Sequence, residues 1–176
     1  SDSGALHIGG AASFAVGSAN NLTLDNAGND FVGTLSIANA KDVTLRDANT
    51  LSLGALDISG NLNLNTLGMV GNVAGTAWLV DGVLTLDAGG GDVVLDALAN
   101  DFGGAVNIAH ARNVVLSDAN ALVLGNIDIT GNLTVKAGGA LTSSGALVVG
   151  GTLSFDSGSF DITATNALND FATLEI

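Results

Sequence analysis

Seventeen acidic side chains stand against four basic ones, and all the acids but Glu175 are Asp. Clustered carboxylates can hold Ca²⁺ or act as general acid and base. The positions to weigh are Asp47 and Asp118, Asp57 and Asp128, and then Asp87, Asp92 and Asp96. The first two pairs recur with a sequence repeat, as structural turns would, whereas a catalytic group is needed once and breaks such a repeat. No Arg or Lys clusters with the other three along the chain. His110 lies eight positions before Asp118 and could serve as a metal ligand or a base. Its counterpart one repeat earlier is Asn39, so it reads as a turn residue. His7 has no acid or second His at ligand spacing and reads the same way. Gly89-Gly90-Gly91-Asp92 occurs once, without the tandem units that a Ca²⁺-binding nonapeptide array needs. There is no cysteine, hence no disulfide and no thiolate metal site. The expectation is therefore no catalytic residue, no metal ligand set and no cofactor.

Two further features carry chemistry in other settings. Asn21-Leu22-Thr23 and Asn132-Leu133-Thr134 match the glycosylation tripeptide, but both fit the strand register of the repeat. Trp78, the single Trp, could stack on a sugar. Its counterpart one unit later is Leu147, which favours a place in the core.

The elements that must position these groups are set by the repeat. Asn29-Asp30-Phe31 returns as Asn100-Asp101-Phe102 and as Asn169-Asp170-Phe171, at intervals of 71 and 69 residues. Residues 29–64 read NDFVGTLSIANAKDVTLRDANTLSLGALDISGNLNL, and residues 100–135 read NDFGGAVNIAHARNVVLSDANALVLGNIDITGNLTV; 20 of these 36 positions are identical without a gap. Turn residues are held as well as apolar ones. Asp47 and Asn49 return as Asp118 and Asn120, and Asp57, Gly60 and Asn61 return as Asp128, Gly131 and Asn132. The three Asn-Asp-Phe sites and the two Asp-Ala-Asn sites are thus expected to be structural repeat positions.

Within each unit, apolar residues alternate in short triplets such as Val43/Leu45, Leu51/Leu53, Leu56/Ile58 and Leu62/Leu64. This is the period of a half-buried strand. Asp, Asn, Ser and Gly turn elements separate the triplets. Strands this short bury little alone. They could build a sandwich or barrel, or stack as a parallel β-helix. Triplets starting at Leu22, Val43, Leu62 and Leu84 recur about every twenty residues, a suitable coil length. A long repeat within one domain, an aliphatic core and the absence of Pro also favour the β-helix. The predicted fold is all-β, a parallel β-helix of about eight coils with a ~70-residue super-repeat. Turn Asn and Asp residues are expected to stack in line from coil to coil.

No linker or composition shift divides residues 1–176, which read as one segment with repeat copies at about 1–70, 71–140 and 141–176. Both ends fall inside a unit, so the expectation is a segment of a longer repeat protein whose coil ends can associate end to end. A net charge of −13 excludes nucleic acid and anionic membrane surfaces as partners. No apolar run reaches the length of a membrane-spanning helix, and residues 1–20 lack the basic region of a signal peptide.

The second copy, residues 100–135, resembles the repeats of filamentous-haemagglutinin-type exoproteins, the large secreted partners of bacterial two-partner secretion, and the resemblance runs from about residue 20 to the end. It implies a right-handed β-helix on the outer surface of a Gram-negative bacterium, serving as an adhesin or as a rod that presents a toxin. It also implies a host-cell or bacterial surface receptor or glycan, met through the parent protein. The secretion-signal domain of that family is not visible in this sequence. Two other readings stand beside the rod segment: a polysaccharide-binding or polysaccharide-degrading β-helix module, and a self-assembling extracellular filament subunit.

Overall fold

The computed structural model of the protein describes residues 2–176. It holds 21 strands and, among the described residues, no helix. Every strand pairing is parallel, and 19 of the strands join into one sheet that winds around an axis. The chain is a parallel β-solenoid of about eight turns. At about 4.8 Å per coil the rod is about 40 Å long.

Alternation dictates this form. Short strands alternate buried and outward residues, as in Leu22–Leu24 and Leu62–Thr66. A strand so short cannot close a core alone, but each coil covers the one before. Two long ladders result, half a coil apart. The front ladder runs Leu22↔Val43↔Leu62↔Leu84↔Val106, the very triplets whose spacing suggested coils, and continues through Leu124. The back ladder runs Leu51↔Val70↔Val93↔Val114↔Leu133↔Leu153↔Leu174. Two side walls connect them. One carries Leu56↔Trp78 and Ile58↔Val80↔Phe102; the other carries Ala111↔Ile129↔Val149↔Phe171.

The interior is a column of Leu, Val and Ile, with Ala40, Ala88 and Ala111 buried beside them. Phe31 and Phe102 of the repeated tripeptide are buried in the side walls. Fully burying such a side chain contributes roughly 1.5–3 kcal/mol. Trp78 is 0% exposed, so the core reading of this residue holds and the sugar-platform reading does not.

The unit and the coil are out of phase. Val43 lies in the front ladder, whereas its counterpart Val114 lies in the back ladder. Leu35 pairs with Leu53 at the back, whereas its counterpart Val106 pairs with Leu84 at the front. From Leu35 the back ladder is crossed at residues 53, 72 and 95 before the chain reaches Val106 on the opposite side. One sequence unit thus spans three and a half coils.

Candidate functional site

The Asn-Asp-Phe and Asp-Ala-Asn elements form one device that ties three successive coils. Asn29 Oδ1 accepts the backbone N–H of Leu6 in the preceding coil at 2.9 Å. Asn100 and Asn169 accept the N–H groups of Trp78 and Leu147 in the same way, each at 2.9 Å. A turn sets up each Asn, whose own N–H donates three residues back, to Asn26, Ala97 or Asn166. From the following coil, Asp47 Oδ2 accepts Phe31 N–H and Asp118 Oδ2 accepts Phe102 N–H, both at 2.8 Å. The other oxygen of each Asp closes a local turn by accepting the N–H of Asn49 or Asn120. Asn49 Nδ2 then donates to Asp30. These Asn and Asp side chains answer backbone donors that would otherwise be buried unpaired. Burial pushes the Asp118 carboxyl above its usual range, against the hydrogen bonds from Phe102 and Asn120.

A second device stitches the corners. Asn21, Asp42 and Asn61 each accept the backbone N–H one coil further on, from Asp42, Asn61 and Val83, at the entry to the front ladder. Their counterparts Asp92, Asn113 and Asn132 accept from Asn113, Asn132 and Thr152 at the entry to the back ladder. The expected in-line stacking of turn Asn and Asp residues is present. Both glycosylation tripeptides begin on a rung of these ladders.

The remaining acids do not converge. Asp57 and Asp128 point outward from opposite side walls, in register with Leu79 and Val148. Among the described residues no three His, Asp or Glu side chains form a group that could hold a metal ion, and no helix is long and apolar enough to cross a membrane.

Three expectations need correction, the first two for one reason. Stacking brings together residues about one coil apart, which counting along the chain passes over. Asp92 does have a basic partner: Arg112 Nε and a terminal guanidinium nitrogen donate to it at 2.8 and 2.5 Å, holding its carboxyl well below the usual range. Asp87 pairs with His110 Nδ1 at 3.0 Å, and His7 pairs with Asp30 at 2.9 Å. The expected turn at His110 is a bulge within the strand Val106–Ala111. There His110 adopts φ +50°, the one positive-φ residue other than Gly among the described residues. The Asp87 carboxylate beside it raises the imidazole pKa.

Next to that bulge, a shallow groove of about 400 Å³ runs along the front, lined by Thr85, Asn107, Asn126 and Asp128 among others. Here the second copy departs from the first. Ser36, Asn39 and Ala55 have become Asn107, His110 and Asn126, and the position 71 before Asp87 is Val16. The groove offers carboxylate and amide groups suited to hydrogen-bonding hydroxyls. The larger polar side chains of the second copy, Asn107 for Ser36 and Asn126 for Ala55, were the sequence signal for it.

A family model described as repeats of unknown function (DUF5649) matches residues 1–38, 40–109 and 111–175. No curated protein and no solved structure matches the chain.

Proposed function

The chain belongs to the family of repeats of unknown function (DUF5649), and from that premise we propose that it is a structural rod segment of a large secreted bacterial surface adhesin or exoprotein. Its work is to carry and present, not to catalyse. The observation that carries this reading is the use of the repeated polar residues. Asn29, Asn100 and Asn169, with Asp47 and Asp118, spend their hydrogen bonds on neighbouring coils. What the sequence repeats is thus the means of stacking, which suits an extended spacer at the cell surface. Right-handed winding is the expected hand, as for other parallel crossovers. The receptor or glycan is met by the parent protein.

The test is adhesion of cells that display the chain within its parent protein. Exchanging the outward residues Thr44, Asn63 and Thr134 for Ser leaves adhesion unchanged, while Asn100→Ala with Asp118→Ala weakens both the rod and adhesion. Lost adhesion in a folded, surface-exchanged variant overturns the reading. Retained adhesion in a chain whose rod has melted overturns it equally.

A polysaccharide-binding module is the second reading, favoured by the groove beside His110. It predicts saturable binding of a soluble glycan to the isolated chain, measured by calorimetry. Asn126→Ala, which restores the residue of the first copy in the lining of the groove, abolishes that binding.

A further inference from the structure

We infer that the rod is two-sided: successive sequence units present the same surface to opposite sides, and each side sees that surface again only after two units, or seven coils. The inference needs only the registers and not the proposed adhesin role.

Four features carry it. The apolar strands switch ladders between copies, Val43 standing in front and Val114 behind. The corner ladders switch with them, Asn21-Asp42-Asn61 guarding the front entry and Asp92-Asn113-Asn132 the back entry. The outward column Asp57–Leu79–Asp101 on one side wall answers the column Asp128–Val148–Asp170 on the other. The third Asn-Asp-Phe returns to the first side: Phe171 pairs with Val149 in the wall that follows the front ladder, and Phe31 pairs with Ile8 at the same place in its coil. Half a coil left over per unit is the cause. A whole number of coils would have lined all copies up on one side.

The consequence concerns partners. A flat surface lying along the rod meets every second unit, at a repeat of about 34 Å. A partner that recognises one unit by its outward residues engages the rod from both sides and bridges whatever lies there. Adding or removing one unit turns everything beyond it by half a turn, whereas adding two restores the facing.

The chain has no Cys, so paired spin labels report the geometry without background. Labels on Asn63→Cys and Thr134→Cys, equivalent positions one unit and three and a half coils apart in the full chain, decide by dipolar broadening. About 26 Å is expected for opposite sides, with about 20 Å across the rod made of the ~10 Å between sheets and the two outward-pointing labels. About 17 Å means one side, hence a whole number of coils per unit, and overturns the inference.

Discussion

The amide of Asn100 shows how single side chains hold the coils in place. It is 0% exposed. It accepts from Trp78 N–H and donates to the Leu95 carbonyl at 3.2 Å. Asn100→Ala leaves both backbone groups without these partners. Each orphaned buried group costs roughly 1–3 kcal/mol, so the variant is expected to lose that much or more in urea denaturation followed by Trp78 fluorescence. A loss below about 0.5 kcal/mol would show that water reaches the site. His110 offers a softer test, because it is exposed. Asp87 raises its pKa, so the pair's contribution is fully present below the ordinary imidazole value of about 6.5 and fades as pH rises through the raised value. An NMR titration of His110 is expected to show that raised midpoint, and Asp87→Asn to move it back down. An unchanged midpoint in Asp87→Asn would remove the pair from the account.

Elements of this fold are defined by what lies one coil away. The front ladder was legible in the sequence because Leu22, Val43, Leu62 and Leu84 keep both their alternation and their spacing. The roles of Asn29 and Asp47 were legible only as recurrence; the sequence showed that they repeat and not that each bonds to the coil before its own. The pairs Asp87–His110 and Asp92–Arg112 were missed because their partners lie 23 and 20 residues away, a separation that means contact only once the coil length is known. The half-coil phase was missed for a related reason. A unit of about 70 residues and a coil of about 20 were both read, but their ratio carries meaning only when strands are assigned to ladders. The Gly89-Gly90-Gly91 run has a structural cause as well. A Cβ on Gly91 would lie 2.4 Å from the carbonyl carbon of Gly68 in the preceding coil, and Gly90 holds φ +92°. Gly91→Ala is therefore expected to push two coils apart. It should cost more than the roughly 1 kcal/mol that marks the upper end of glycine's backbone-entropy effect, with faster amide exchange at residues 68–70 and 91–93. Unchanged exchange there would mean that the turn relaxes without disturbing the stack.

Across the whole molecule, acid is the dominant unmet interaction. The net charge is −13. Stacking sets like charges at regular intervals: Asp57 and Asp101 flank Leu79, and Asp128 and Asp170 flank Val148, each pair two coils and so about 10 Å apart. The Debye length is about 30 Å at 0.01 M salt and about 3 Å at 1 M, so these pairs repel freely in dilute buffer and hardly at all in concentrated salt. Opposing them are a few exposed ion pairs, such as Lys41–Asp42 at 3.9 Å and Lys136–Asp156 at 3.5 Å. Exposed pairs of this kind each contribute about 0–1 kcal/mol and are screened as well. Repulsion outnumbers attraction, and the apolar column inside is strengthened by a salting-out anion. The urea midpoint is therefore expected to rise steadily from 0.01 to 0.5 M sodium chloride, and further in sodium sulfate at equal ionic strength. A solenoid holds its coils through neighbours alone, so relief along the acidic columns acts at many interfaces at once. The rise should then grow with the number of units rather than stay fixed. A midpoint that falls with sodium chloride would mean that the few ion pairs, Asp92–Arg112 foremost, outweigh the columns of acid.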